Sequence, residues 1–234
     1  MRIGLLVAGH VDEASRSVAG DYPELFGSLL ASHGVELVEY DIGSGRLPDS
    51  LSECDGWLCS PSRSSVYDDL PWIVDAETLL RDVIAAEQPY VGICFGHQLL
   101  ARALGAEVAR YPDGWQVGAQ TYELVQHPAW MDPPLAQATL IASHQDQVTT
   151  LPEGAELLAR GVTGECAIAG FTVGERAWTL QAHPEFVAPL AHHLLARRIE
   201  LIGAEKVTAA RASLATPLDR LTVGDWIARF FATA

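Results

Sequence analysis

One cysteine of this chain stands in a setting suited to nucleophilic chemistry. Cys94 lies in the segment GICFGHQ, residues 92–98, after a short apolar run at 89–91 and before a helix-like stretch at 99–104. A nucleophile on a sharp strand-to-helix turn flanked by glycines is the arrangement called a nucleophile elbow. The glycines permit the tight turn, and a helix N-terminus favours a thiolate. We therefore predict that Cys94 is a nucleophile whose side chain is exposed above the sheet edge.

A histidine and a glutamate far downstream could complete this chemistry. His183 and Glu185 lie in the segment QAHPEF, residues 181–186. Residues i and i+2 of an extended segment point to the same side, and Pro184 between them favours extended backbone. His183 would take the proton as a base, and Glu185 would orient the imidazole. The alternative is a core thiol and a simple turn, but the two motifs in this order favour catalysis.

The elements that must position these residues alternate between strands and helices. Predicted strands precede and follow amphipathic helices, which indicates a parallel sheet covered on both faces. The strands are predicted at 3–8, 35–42, 56–59 and 90–93, and the helices at 22–33 and 72–87. Between 106 and 181 the strands are short and separated by turns, which indicates an antiparallel or mixed addition. Helices are then predicted at 187–202, 205–214 and 223–231.

These patterns predict an α/β fold with a flavodoxin-like, open and mostly parallel sheet, helices on both faces, a small antiparallel addition and C-terminal helices. Open sheets of this kind place their sites beyond the carboxyl ends of the strands, so we expect Cys94 to follow a central strand. Residues 1–234 fit one domain, with residues 187–234 as a C-terminal helical extension.

The composition limits the partners that the chain could bind. A formal net charge of −15 and a pI near 4.8 argue against nucleic acid and anionic membranes and fit a small-molecule substrate. The apolar run near the N-terminus is too short for a signal peptide or a membrane span, so we expect a cytoplasmic protein with reduced cysteines. The cysteines show no metal-ligand spacing, and we expect neither a metal nor another cofactor.

The two motifs together resemble those of the class I glutamine amidotransferases, and more narrowly the stand-alone members that are similar to the amidotransferase domain of GMP synthase. The resemblance extends over nearly the whole chain. Further similar stretches are residues 65–72, 114–118, 143–148 and 210–214. The resemblance implies that the Cys94 thiolate attacks the side-chain amide of glutamine, that ammonia leaves, and that water hydrolyses the γ-glutamyl thioester.

The resemblance also implies roles for residues around this nucleophile. Gln98 resembles the family residue that contacts glutamine, and Ser143, Gln145 and Asp146 match the loop that holds the substrate's backbone groups. His144, in the same loop, is expected to be structural.

An oxyanion hole is also expected. Its first donor would be the N–H of Phe95, next after the nucleophile. The family's second donor comes from a glycine-containing turn after the third strand, but here that turn is Cys59–Ser65 and contains no glycine. Pro61 has no N–H, so the N–H of Ser62, or a serine hydroxyl, would have to act instead.

Three functions remain open at this point. The chain contains no Ser-Gly-Gly or GxxxxGK[ST] phosphate loop, so by itself it could not activate an acceptor with ATP. It could be an amidotransferase that supplies ammonia to a separate synthetase. It could instead be a free-standing γ-glutamyl hydrolase or peptidase, with the same thioester and another leaving amine. The third possibility is a binding protein built on an inactivated fold. The glycine-free turn favours this possibility, whereas the triad argues against it.

Overall fold

Nine strands form the main sheet in the computed structural model of the protein, which describes residues 1–163 and 165–234. Its parallel half contains five strands, in the spatial order β2-β1-β3-β4-β11. They are β1 (Arg2–Leu6), β2 (Glu36–Tyr40), β3 (Gly56–Cys59), β4 (Tyr90–Ile93) and β11 (Ala177–Leu180). β4 is therefore a central strand, as the sequence predicts.

Four antiparallel strands continue the same sheet beyond β11, in the order β10-β9-β6-β7. They are β6 (Gln116–Leu124), β7 (Gln137–His144), β9 (Ala155–Gly161) and β10 (Gly170–Val173). β5 (Val108–Arg110) and β8 (Asp146–Val148) pair separately as a small antiparallel sheet. The predicted α/β class is confirmed, and the antiparallel addition extends the main sheet rather than forming a separate unit.

Helices cover both faces of the sheet. They are α1 (Glu13–Ala19), α2 (Tyr22–Leu29), α3 (Pro71–Ala85), α4 (Phe95–Ala103), α5 (Ala188–Arg197), α6 (Ile199–Ile202), α7 (Ala204–Ser213) and α8 (Arg220–Thr233). Short 3₁₀ turns lie at Ala31–His33, Ile42–Ser44 and Leu51–Glu53. In the described residues, no helix is both long and apolar enough to cross a membrane.

The alternation of side chains along the strands divides the core into two layers. Leu5 of β1 joins the layer that contains α2, α5 and α8, whereas Leu6, the next residue, joins the layer that contains α3 and α4. Successive side chains of a strand point to opposite faces, so apolar residues in succession belong to a strand buried on both sides. Because the strands are buried on both faces, their carboxyl ends, where the loops of the candidate site begin, are held in place.

The structure differs from the sequence-based expectations in two helical regions. Helix α1 was not predicted, because its sequence, EASRSVA, shows no strong apolar period; Asp12 caps it by accepting the Ser15 N–H at 3.2 Å. The helix predicted over 187–202 is interrupted at Arg198, where α5 ends and α6 begins.

Candidate active site

Cys94 lies on a strained turn between β4 and α4. Its backbone has φ 52° and ψ −96°, an unusual conformation for a residue with a side chain. The neighbouring glycines make the turn possible, because a Cβ on Gly92 would lie 2.6 Å from the Gly96 carbonyl oxygen and a Cβ on Gly96 would lie 2.8 Å from Cys59. The Tyr90 hydroxyl donates to the Gly96 carbonyl at 2.9 Å. The elbow is thus held by close backbone packing.

The Cys94 side chain is buried, with only 6% of its surface exposed. The expectation of an exposed thiol above the sheet edge is therefore wrong. The reason is that loops from β1, from β3 and from the segment after β11 rise around the elbow and enclose a cavity of about 240 Å³, which Cys94 lines.

His183 lines the same cavity as Cys94, and the segment that follows β11 supplies both His183 and Glu185. Nδ1 of His183 lies 2.8 Å from Oε1 of Glu185, and both side chains are buried. The ring also stacks on Phe186, with 4.2 Å between centroids. His183 is held in place by an antiparallel bridge in which its N–H donates to the Ile141 carbonyl at 2.9 Å. The predicted side-by-side placement of the two residues is present.

The second ring nitrogen of His183, Nε2, has no hydrogen-bond partner among the described residues. Burial lowers the pKa of His183, but the negative charges of the Cys94 thiolate and of Glu185 outweigh burial and raise it to about 10. The charges beside His183 therefore favour its imidazolium form, and the 2.8 Å contact between Nδ1 and Glu185 fixes the orientation of the ring.

The turn after β3 forms another wall of the cavity. Pro61, Ser62 and Phe95 all line the cavity. The Ser62 hydroxyl is not free to donate to an oxyanion, because it donates to the Ala8 carbonyl at 2.8 Å. The Ser62 N–H, by contrast, meets no acceptor within residues 1–163 and 165–234. Of the two options for a second oxyanion donor at Ser62, the geometry leaves the backbone N–H.

Gln98 and Asp146 also line the cavity, but much of their hydrogen-bonding capacity is used within the protein. Gln98 donates through Nε2 to the Asp146 carbonyl at 2.8 Å. The two carboxylate oxygens of Asp146 accept from the Ser65 hydroxyl at 2.5 Å and the Tyr67 hydroxyl at 2.8 Å. Asp146 thus joins the turn after β3 to the loop before β8, and its side chain is a structural link.

Ser143 and Gln145 lie on the same wall and are tied to arginines. Ser143 Oγ accepts from Arg198 at 3.2 Å, and Gln145 Oε1 accepts from Arg110 at 2.8 Å. Arg198 also lies over the Trp115 ring, with 5.5 Å from Cζ to its centroid. All four sequence-predicted substrate contacts therefore line one cavity with Cys94.

Two arginines at the cavity were not predicted from the sequence. Arg63 and Arg198 both line it, and neither forms an ion pair in the described parts of the chain, whereas the neighbouring Arg197 lies 3.5 Å from Asp12. Burial lowers the pKa of Arg198, and the charge of Arg63 lowers it further. The Asp12 carboxylate lines the same cavity and lies near both arginines, so this wall holds charges of both signs.

Gln181 is a further residue that sequence reasoning missed. Its side chain is fully buried, and its Nε2 lies 3.6 Å from Sγ of Cys94. The signal was available in the spacing, because Gln181 precedes His183 by two residues, the same offset that places Glu185 beside that histidine.

Comparison with known proteins identifies the family. The model of the family described as glutamine amidotransferase class-I matches residues 28–201. This match spans well over half of the chain and includes Cys94, His183 and Glu185. The chain therefore belongs to the class I glutamine amidotransferase family.

The relatives include proteins that are named for two different activities. Gamma-glutamyl peptidase 3 of Arabidopsis thaliana is 26% identical over 92% of this chain and 90% of its own length. GMP synthase [glutamine-hydrolyzing] of Thermotoga maritima is 36% identical over 58% of this chain but only 25% of its own length. A crystal structure of a glutamine amidotransferase from Thermotoga maritima shares the fold, with a TM-score of 0.75, 21% identity and coverage of 99% of this chain and 96% of that one.

Proposed function

We propose that this class I glutamine amidotransferase cleaves a γ-glutamyl amide through a thioester on Cys94. The single observation that carries the proposal is that Cys94 and His183 line one cavity while Nδ1 of His183 lies 2.8 Å from Oε1 of the buried Glu185. A nucleophile, a base and an orienting carboxylate are the parts that acyl transfer requires.

The proposed reaction has two halves. The Cys94 thiolate attacks the γ-carbonyl carbon, and the carbonyl electrons move to the oxygen. As they return, the C–N bond breaks and the His183 imidazolium gives its proton to the departing nitrogen, which leaves a γ-glutamyl thioester. His183 then takes a proton from water, the hydroxide attacks the thioester, and the C–S bond breaks to release glutamate and the thiolate.

The oxyanion formed in each half would be held by two backbone N–H groups. Phe95 opens α4, so its N–H has no acceptor within the helix. Ser62 faces the same cavity from the turn after β3. We propose that these two N–H groups replace the glycine-based hole of the family, with Pro61 holding the turn rather than donating.

The first candidate substrate is glutamine, with ammonia passed to a separate acceptor or synthetase. The similarity to the amidotransferase portion of GMP synthase supports this candidate. Because an enzyme that works with a partner would waste glutamine if it were always active, we expect weak intrinsic glutaminase activity that a partner stimulates by ordering the site.

The second candidate is a γ-glutamyl peptide, and a specific observation favours it. Arg63 and Arg198 line the cavity, where a leaving amine that carries a carboxylate would add a second anion, beside Asp12, for these two cations. The similarity to gamma-glutamyl peptidase 3 over nearly the full length of both chains supports the same candidate.

Parallel assays of ammonia and amine release distinguish the candidates. Purified protein is given glutamine, γ-glutamylglycine, or γ-glutamylglycine whose carboxylate is blocked as an amide, each with and without extract of the native cells. Ammonia release that rises with extract supports the amidotransferase. Partner-independent cleavage of γ-glutamylglycine, weakened by the block and by Arg63→Gln, supports the peptidase. Equal release by wild type and Cys94→Ala on every substrate would overturn the thioester proposal itself.

A further inference from the structure

A chain of side-chain amides connects the loop before β8 to the sulfur of Cys94. Gln98 Nε2 donates to the Asp146 carbonyl at 2.8 Å and to Gln181 Oε1 at 3.0 Å. Gln181 Nε2 in turn donates to Cys94 Sγ at 3.6 Å. Gln98 and Gln181 are 4% and 0% exposed, so water does not compete for these bonds.

The Asp146 carbonyl fixes the orientation of the Gln98 and Gln181 amides in this series of hydrogen bonds. A backbone carbonyl can only accept, so the Gln98 atom that faces Asp146 must be the NH₂ group. The same NH₂ group faces Gln181, which must therefore present its oxygen to Gln98. The other end of the Gln181 amide, its NH₂ group, consequently faces the sulfur. The Asp146 carbonyl thus determines that Cys94 meets an N–H donor rather than an oxygen.

A donor at this place has a chemical consequence. Hydrogen bonds to an ionised acceptor are stronger than those to its neutral form, so an N–H aimed at sulfur favours the thiolate over the thiol. Because the amide is held at both ends, it also restricts the direction in which the sulfur points. A carboxamide carries no charge, so this stabilisation does not depend on the protonation of His183.

We propose that Gln181 is a positioning residue that holds the Cys94 thiolate for attack, with Gln98 setting the direction of its amide. The proposal rests on the thioester function argued above and deepens it. It also gives Gln98 a role apart from substrate contact.

The test is the pH dependence of Cys94 alkylation by iodoacetamide in resting protein, followed by the mass of the peptide that contains Cys94. In Gln181→Met, which has similar volume and no N–H, we expect the pH midpoint of alkylation to rise by about one unit, equal to about a tenfold lower rate below the midpoint. Gln181→Glu places a carboxylate beside the sulfur, and we expect a larger rise.

Control variants separate this effect from a general disturbance. Gln116→Met also replaces a buried glutamine, and we expect the wild-type midpoint there. The other titratable or charged groups that influence Cys94 remain in place in every variant; in the described residues these are Tyr22, Tyr122, Cys166, His183, Glu185 and Arg198. Thermal unfolding checks that each variant is folded.

A folded Gln181→Met protein with the wild-type midpoint would overturn the proposal. If neither Gln181 variant folds, Gln98→Met decides, because it releases the Gln181 amide without removing it: a rise of about half a unit supports the proposal and an unchanged midpoint overturns it. Alkylation requires no γ-glutamyl substrate. A protein that shows the predicted shifts but cleaves no γ-glutamyl amide would therefore sink the proposed function and leave the role of Gln181 in holding the thiolate intact.

Discussion

Two histidines in this molecule are equally buried and line the same cavity, yet their pKa values move in opposite directions. His183 and His144 are 2% and 4% exposed. Burial lowers the pKa of both, but only His183 has a thiolate and a carboxylate beside it, and its pKa rises to about 10. His144 bonds through Nδ1 to the Asp146 carbonyl at 3.2 Å, and burial together with the charge of His183 lowers its pKa to about 3.

The contrast teaches that partner charges, rather than burial, decide which histidine can exchange protons. Two neighbouring anions raise the pKa of a histidine and so favour the imidazolium form that a proton donor needs. A histidine whose nearest partner is a neutral group, such as a carbonyl or a hydroxyl, has its pKa lowered by burial and serves to hold the structure in place. His97, bonded to Thr179 at 2.7 Å and with its pKa lowered to about 3 by burial, belongs to the second class.

The largest expected effect is the difference in turnover between two variants, in each of which one of these histidines is replaced by glutamine. His183→Gln removes the base, and we expect a folded protein that loses about 10²–10⁴ in turnover. His144→Gln keeps a side-chain N–H for the Asp146 carbonyl, and we expect turnover within about tenfold of wild type. Turnover on the substrate identified above measures both. Similar losses in the two variants would break the comparison.

The next largest effect is expected from changing Glu185, whose carboxylate lies beside His183 and has no counterpart beside His144. Glu185→Gln keeps the shape of the side chain but removes the charge that helps to raise the pKa of His183. We expect a loss of about 10² in turnover, the low end of the acid–base range, because the Cys94 thiolate still favours the imidazolium. Wild-type turnover in Glu185→Gln would show that the carboxylate does not orient the base.

A smaller effect is expected on stability as the pH falls. For His97 and His144 the folded pKa is about 3 and the unfolded value about 6.5, so below pH 6.5 the unfolded chain binds protons that the folded chain does not. Each histidine then lowers the free energy of unfolding by about 1.4 kcal/mol per pH unit. The contribution of His183, whose folded pKa is raised, is complete below pH 6.5 and is lost as pH rises toward 10.

Urea unfolding between pH 6.5 and 4.5 measures this slope. We expect His144→Gln to reduce it by about 1.4 kcal/mol per pH unit, the share of one histidine. His183→Gln, by contrast, should leave the slope in this window unchanged. A steeper slope in His144→Gln, or a flatter one in His183→Gln, would reverse the assignment of the two classes.

The smallest effect is expected at the opposite wall of the cavity. Pro61→Gly would add the N–H that the family's turn usually has, but Ser62 already lines the cavity and its N–H has no acceptor in the described structure. We therefore expect turnover to stay within about threefold of wild type, because one unused donor suffices and the added backbone freedom costs only about 1 kcal/mol. A rise of 10² or more would mean that the oxyanion hole of the natural turn lacks a donor.

The sequence predicted those features that depend on local pattern. The strands that end at Cys59 and Ile93 were placed correctly, because short buried strands bounded by turn residues carry their own signal. The approach of His183 to Cys94 was expected from the two motifs alone, because the strand before His183 was assigned to the antiparallel or mixed addition, whereas β11 pairs with β4 in parallel. The assignment of residues 1–234 to one domain stays a prediction.

The features that escaped prediction depend on distant contacts. The burial of Cys94 results from loops that start on other strands. The hydrogen bond from Gln98 to the Asp146 carbonyl joins residues that are 48 positions apart. The bond between Gln181 and Cys94 spans 87 positions. The spacing from His183 places Gln181 on the side of the site, but no periodicity or motif reports which atoms these side chains bond. The catalytic and binding roles of these residues stay predictions until they are tested.

Labelling with a glutamine analogue that carries a diazo-ketone group tests the central claim most directly. Burial raises the pKa of Cys59 and Cys166 to about 12 and also raises that of Cys54, so these thiols should stay unreactive at neutral pH. We predict one label per chain, located on Cys94 by peptide mass, formed more slowly in His183→Gln and absent in Cys94→Ala. Labelling of another cysteine, or undiminished labelling in Cys94→Ala, would contradict the account.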